Sequence, residues 1–301
     1  MSASSQDIMT AKLFFNAAFP TMQVVLDDDP KMKAMFANVK GVVQIGAKDA
    51  GGVEPFLSCH LVFNKGEFKV VQGPASEGTD GSADIELTFG TVAKMNTMFR
   101  GGAALPAIKG LGHLGLLIKV LQLLLSLMIM MPNKRPTDYV HQKLKVKMSL
   151  YMITRALSQY NKISKERPDI GDASMVEWCK RQPDRIYQFI IDAPQVVSTS
   201  STTASPPSVV EPVETTQTTP PDIACYLRVA AGQTKSGHGV YTRRTPFVLF
   251  HFFSVEGAMK VLLKEVAFVA GVEQHCVEIV GSPEYAMYLN DYMSVLQGML
   301  T

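Results

Sequence analysis

The feature that most restricts what this chain can fold into is its agreement with itself. Shifted by 153 residues, Met22 meets Met175, Val25 meets Trp178, Pro30 meets Pro183, Phe36 meets Phe189 and Val43 meets Val196. Shifted by 163, Phe89 meets Phe252, Thr91 meets Ser254, Val92 meets Val255 and Phe99 meets Leu262. Shifted by 171, Ile108 meets Ile279, Gly110 meets Gly281, Leu117 meets Tyr288 and Leu124–Leu125 meet Val295–Leu296. Lys119 then meets Asn290 and Ser126 meets Gln297, so polar positions recur as well as apolar ones. Offsets that change only between elements are what a diverged tandem duplication leaves behind. The 301 residues accordingly divide into two units of ordinary domain size, 1–132 and 133–301, with the boundary near Pro132–Pro136.

Local patterns supply the elements of each unit. Helices are expected at 5–18 and 21–27, broken by Pro20, and at 30–38 behind Pro30. Val42, Val43 and Ile45 suggest a strand, and 56–63 with 68–71 a hairpin around Asn64-Lys65-Gly66-Glu67. Ile85, Leu87 and Phe89 alternate with polar residues as in a half-buried strand; Val92, Met95, Met98 and Phe99 then take up helical spacing. An extended piece at 105–109 and an apolar helix complete the unit. The second unit reads as helices at 137–163, 174–182 and 183–191, and a strand beginning at Val196–Val197. Strands at 223–229, 240–242 and 247–253 follow, joined by AAGQ and KSGHG turns. A helix at 255–263, a short strand at 277–280 and a last helix at 283–300 close it. The Ser/Thr/Pro tract at 198–221 is expected to be a disordered loop inside this unit rather than a linker.

The run from Leu111 to Met131 has the length of a membrane span. Lys119 near its centre costs about 2.5–3.5 kcal/mol in a bilayer, which its Leu, Ile and Met residues can offset, so hydropathy does not decide. Gly115, Lys119, Gln122 and Ser126 recur at helical spacing as one narrow polar stripe, the pattern of a helix buried in protein with one wet edge. Its repeat partner carries Asn290, Asp291 and three tyrosines and is unsuited to crossing a bilayer.

Charge excludes more than it assigns. With 29 basic against 27 acidic residues there is no field to favour nucleic acid. Four scattered cysteines form no C-x-x-C, so neither a disulfide scaffold nor a zinc ribbon is indicated. No basic stretch leads into an apolar secretory segment, and a cytoplasmic location is expected.

The order of N-terminal helices, antiparallel strands, helix, short strand and final helix resembles the sterol-carrier-protein, or nonspecific lipid-transfer, family. Ile279-Val-Gly-Ser-Pro-Glu-Tyr-Ala-Met287 is similar to that family's closing strand–glycine–helix signature. Ala83-Asp-Ile-Glu-Leu-Thr-Phe89, with the helix that ends at Gly101, is similar to its preceding strand and helix. The resemblance implies an α+β fold in which each of two tandem domains wraps an antiparallel sheet and helices around an apolar tunnel for acyl chains or sterols. The last helix would cover the mouth. The chain departs from the family in its tandem arrangement, its inserted loop and the lack of a peroxisomal tail.

An excess of Met and Phe on helix faces suits an irregular apolar cavity, because Met adapts its shape. The candidate lining is Met95, Met98, Phe99, Leu117, Leu121 and Leu124 in the first unit. In the second it is Phe250, Phe252, Leu262, Leu263, Tyr288 and Tyr292. Burying an acyl chain yields about 0.8 kcal/mol per methylene, or at most ~12 kcal/mol for sixteen carbons before the costs of association. Plain core packing explains each of these residues as well.

Other motifs point elsewhere only weakly. Gly110-Leu-Gly112-His-Leu-Gly115 spells G-x-G-x-x-G, but the preceding AALPAIK is a poor buried strand and no acidic residue stands about 20 positions on. Cys59–His60 and His275–Cys276 are adjacent pairs, which on a strand face opposite ways and cannot share a metal. Ser236-Gly-His238-Gly reads as a turn, Asp27-Asp28-Asp29 as an acidic helix start, and Arg243–Arg244 as a solvated strand end or a headgroup contact. The expectation is therefore a non-catalytic carrier of a lipid or other hydrophobic small molecule, needing no cofactor and no metal. Transient membrane contact and homo-oligomers stay open. The alternative is an interaction module that uses helix 111–131 for oligomerisation or partner binding.

Overall fold

Two stretches of alternating burial, Ile85–Phe89 and Val248–Phe252, seed two sheets, each with its apolar residues on one side and half-exposed residues on the other. The computed structural model describes residues 3–50, 54–77, 82–131, 133–194 and 220–301. The architecture is α+β with two five-stranded mixed sheets. The first holds β1 (Lys40–Ala50), β2 (Glu54–Asn64), β3 (Glu67–Gln72), β4 (Ile85–Phe89) and β5 (Ala107–Lys109), in the order β3-β2-β1-β4-β5. The second holds β6 (Arg185–Ile191), β7 (Ile223–Ala230), β8 (Gln233–His238), β9 (Val248–Phe252) and β10 (Val277–Gly281), in the order β8-β7-β6-β9-β10. In both, the first and fourth strands of the sheet are parallel neighbours and every other pair is antiparallel.

Register makes the correspondence residue-specific. One row across the first sheet runs Gln72, Cys59, Ile45, Leu87, Ile108; the matching row of the second runs His238, Cys225, Phe189, Phe250, Ile279. On the central strands Gln44 Oε1 accepts from Ala75 N at 2.9 Å, and Gln188 Oε1 accepts from Tyr241 N at 2.8 Å. Gly110 and Gly281 both take positive φ, and a Cβ there would lie 2.0 Å from Asp84 O and 2.1 Å from Phe247 O. The strand-to-helix passage thus needs glycine in both halves, which accounts for the glycines of the G-x-G-x-x-G run without a nucleotide.

The helices follow the same order. α1 (Ser5–Leu13), a π-helical turn (Phe14–Ala18) and α2 (Phe19–Asp28) run on as one rod, followed by α3 (Pro30–Phe36); α4 (Val92–Phe99) follows β4, and α5 (Leu114–Ser126) closes the half. In the second half α6 (Tyr139–Glu166), α7 (Ala173–Lys180), α8 (Val255–Leu262) and α10 (Pro283–Leu300) take those places. α9 (Phe268–Glu273) is an addition with no counterpart in the first half. Asp29 caps α3 and Asp172 caps α7, each accepting from the two backbone N–H groups that start its helix. The rod formed by α1 and α2 packs on α6, and one apolar core runs through both halves.

Several expectations are corrected. Pro20 does not break the first helix: Phe19 N reaches Phe14 O five residues back, and the widened turn accommodates a ring that would clash in a regular helix. Residues 183–191 form no helix but the central strand β6, because the β-branched and aromatic side chains of RIYQFII favour a pleated, two-sided burial over what Pro183 suggests. This changes the repeat register: Ile45, not Phe36, corresponds to Phe189, and Val196 lies outside the described residues. Val240–Thr242 is not a strand; its place is taken by the polar edge strand β8, which also contains the Ser236-Gly-His238 segment read as a turn. Edge strands with one wet face carry little apolar alternation to detect. The tract expected to be a loop at 198–221 falls, but for its last two residues, outside the described residues.

Helix 111–130 is long and apolar enough to cross a membrane, yet only about a third of it is buried. Its wet edge is broader than a polar stripe. Leu111, Leu114, Ile118 and Leu125 are exposed beside Gly115 and Gln122.

Candidate functional site

Each half lays a long helix across the apolar face of its sheet, and the side chains at that contact decide whether space is left. In the first half the contact is aromatic. Phe14 and Phe19 put their ring centroids 5.2 and 4.9 Å from that of Phe99, and Phe89 lies 6.0 Å from it on the sheet side. Met95 and Phe99 are therefore buried in a filled cluster, as are Leu117 and Leu124 on α5. Met98 and Leu121 are half-buried and pack against the same core.

In the second half the same layer encloses a cavity of about 380 Å³. Its floor is the sheet: Phe189 and Phe250, stacked in parallel with centroids 4.5 Å apart, and Phe252. α6 contributes Lys145, Val146, Ser149, Met152 and Ile153 to one wall, and α10 contributes Asn290, Met293, Ser294 and Gln297 to another. Met259, Leu262 and Leu263 come from α8 and its end, and Val266, Ala267 and Phe268 lead into α9 as a roof. Phe268 reaches to within 6.0 Å of the Phe250 ring across the space. Gln297 Nε2 donates to Leu262 O at 2.9 Å and ties α10 to the end of α8.

Of the sequence-predicted lining, Phe250, Phe252, Leu262 and Leu263 come together at this cavity. Tyr288 and Tyr292 do not: Tyr292 packs on Trp178 with centroids 5.5 Å apart, and Tyr288 is exposed. Both look toward α7, because the face of α10 that meets the cavity is the one bearing Asn290, Met293 and Gln297. The α6 and α9 residues are absent from the sequence-based set. α6 shows an apolar period, but nothing in it marks Ser149 and Met152 as lining rather than core.

Three lysines alternate along α6 at 143, 145 and 147. Lys143 ion-pairs with Asp222 and Lys147 with Asp28 at 2.6 Å. Lys145 is 2% exposed, and its Nζ donates to the carbonyls of Met131, at 2.7 Å, and Lys134. No carboxylate within ion-pair distance of Lys145 is found among the described residues. Burial pushes its ammonium down to about 8, against a partial pull upward from Glu265, whose carboxylate is taken by Arg135.

The remaining polar candidates are occupied by the fold. Cys59 and Cys225 are wholly buried thiols pushed well up by desolvation, Cys225 to about 12, and so are poor nucleophiles. Arg244 pairs with Asp184 at 2.8 Å, a carboxylate shared with Arg228 at 2.7 Å, and the two guanidinium groups hold that carboxyl below its usual range. His251 lies between Asp192 at 2.9 Å and Glu278 at 3.5 Å. No group of three His, Cys, Asp or Glu side chains able to hold a metal ion is found among the described residues. No family model and no curated protein matches the chain.

Proposed function

We propose that this protein binds a hydrophobic ligand, of the size of a fatty acyl chain or another single-tailed lipid, in the cavity of its second half, for carriage or presentation rather than for chemistry. The observation that carries the reading is the cavity itself: about 380 Å³, floored by Phe189, Phe250 and Phe252 and walled by Met and Leu. That volume lies in the usual range of small-molecule sites, and its apolar lining supplies the driving force without a catalyst. The order of elements implied by the resemblance to sterol carrier proteins supports the reading, since that order occurs twice in the chain. The first half takes a structural part in it, because Phe14, Phe19 and Phe99 occupy the corresponding layer.

Native mass spectrometry of the purified full chain, with extraction of any bound lipid, tests the reading. A co-purifying single-tailed lipid, or saturable displacement of a fluorescent fatty acid, is expected. If no lipid co-purifies and no fluorescent fatty acid binds, the reading fails.

One observation favours a second reading, an interaction module. Leu111, Leu114, Ile118 and Leu125 form an exposed apolar stripe on the closing helix of the first half, continued by Leu105 and Ile108 before it. Such a stripe on a protein surface marks a contact site more often than chance.

A further inference from the structure

Resting on the carrier reading, we propose that Lys145 selects the charge of the ligand, so that the cavity takes a single-tailed amphiphile with an anionic head, a carboxylate or a phosphate monoester, in preference to a neutral or cationic one of equal length. Three observations converge on this. Lys145 lines the cavity and is 2% exposed, with its Nζ held by the Met131 and Lys134 carbonyls, so its charge sits inside the protein beside an apolar space rather than in water. Its sequence neighbours of the same type, Lys143 and Lys147, each have a carboxylate, whereas Lys145 has two neutral carbonyls for its three donors. The lining contains a second lysine, Lys264, which is exposed, and no aspartate or glutamate side chain among the described residues.

A buried charge is costly unless it is paired, and no carboxylate pairs with Lys145 among the described residues. An anionic head placed beside Lys145 supplies it and accepts the remaining N–H, while the tail covers the Phe189–Phe250 floor. A neutral alcohol can accept that hydrogen bond but leaves the charge uncompensated. An amine head would set like charges together in a low-dielectric space and is rejected.

Isothermal titration of the full chain with dodecanoate, dodecyl phosphate, dodecanol and dodecylamine reads this directly. The wild type is expected to bind dodecanoate or dodecyl phosphate at least tenfold more tightly than dodecanol, and dodecylamine most weakly. The ratio of the two anions separates a carboxylate from a phosphate preference. In Lys145→Met the anion-to-alcohol ratio should fall to within about threefold with dodecanol affinity kept. Lys145→Arg should restore the preference even if it lowers the melting temperature. Equal binding of anion and alcohol by the wild type overturns the charge selection and leaves the carrier reading standing. Retention of the tenfold ratio in Lys145→Met also overturns it. Failure of all four probes to bind the wild type overturns both.

Discussion

Phe19 and Phe99 meet edge to face, their planes at 88° and their centroids 4.9 Å apart, and this contact closes the first half of the molecule. The residue that corresponds to Phe99 in the second half is Leu262, which lines the cavity instead. The exchange of a ring for a branched chain, together with Ser149 and Met152 on α6 where the first helix rod brings phenylalanines, separates a packed half from a hollow one. Phe99→Ala should therefore cost about 3–5 kcal/mol, since it removes a ring from contact with Phe14, Phe19 and Phe89 and leaves a void that rigid neighbours do not fill. Urea unfolding of the variant checks the figure. A loss below about 1 kcal/mol would mean that the cluster is loosely packed and that the two halves are alike.

The cavity predicts its own plug. Met293 lines it from α10 and is half-buried, so Met293→Trp has space to place an indole above the phenylalanine floor. Ligand binding should fall at least tenfold while the melting temperature changes little, because the new ring occupies existing space rather than displacing core. Displacement of a fluorescent fatty acid measures it, and undiminished binding would move the ligand elsewhere.

How much of this was legible in the residues alone depended on whether a signal was local. Hairpin 56–71, helix 92–99 and helix 283–300 follow from turn residues, caps and apolar spacing, and they lie where those signals put them. Duplication was legible as order, and the offsets of 163 and 171 hold in the sheet rows, but the offset of 153 did not. Pro183 imitates Pro30, and that false anchor turned β6 into a helix and displaced the equivalence of Phe189 from Ile45 to Phe36. The sheet rows restore it, since hydrogen-bonded neighbours are fixed by long-range pairing that no window of sequence contains. Lys145 is the plainest limit. Lys143, Lys145 and Lys147 are indistinguishable in sequence, and only the positions of Asp222, Asp28 and the 131–134 carbonyls separate two solvated pairs from a buried ammonium.

The repeated caps offer a measure of the duplication. Asp29 Oδ1 accepts from Lys31 N and Met32 N at 2.9 and 3.1 Å; Asp172 Oδ1 accepts from Ser174 N and Met175 N at 2.8 and 3.1 Å. Asp29→Ala and Asp172→Ala should each cost about 1 kcal/mol, with Asp172 the more expensive because its carboxylate also accepts from Tyr160 at 3.2 Å. Thermal unfolding of both single variants tests the pairing. A cost for Asp29→Ala several times that for Asp172→Ala would contradict it.

The exposed stripe yields a solution experiment. Ile118→Asp and Leu125→Asp place charges on the outer face of the closing helix, where they disturb little packing. Leu121, by contrast, is half-buried against the core, so Leu121→Asp would report on stability as much as on association. If the stripe is a contact between copies, light scattering should show an oligomer for the wild type that both outer variants disperse. A monomeric wild type at tens of micromolar would remove the support for that contact.

The last prediction concerns pH and follows from the sign of one shift. Lys145 is held at about 8 in the folded chain against an ordinary lysine value of 10.5. Below pH 8 the ammonium is charged in both folded and unfolded states, and the fold bears its full burial cost. Between about 8 and 10.5 the unfolded chain binds the proton more tightly than the folded one, so stability rises with pH across that window. The groups around it set the background. Glu265, paired with Arg135, and the neighbouring Lys134 and Lys264 are the other charged groups there. Subtracting the same curve for Lys145→Met removes every contribution but that of Lys145. Wild type should gain about 2–3 kcal/mol relative to the variant between pH 7 and 10, most of the ~3.4 kcal/mol that the full displacement from 10.5 to about 8 is worth at 1.36 kcal/mol per pH unit. Chemical denaturation across the range provides the measurement, and parallel curves for the two proteins would show that Lys145 is solvated rather than buried.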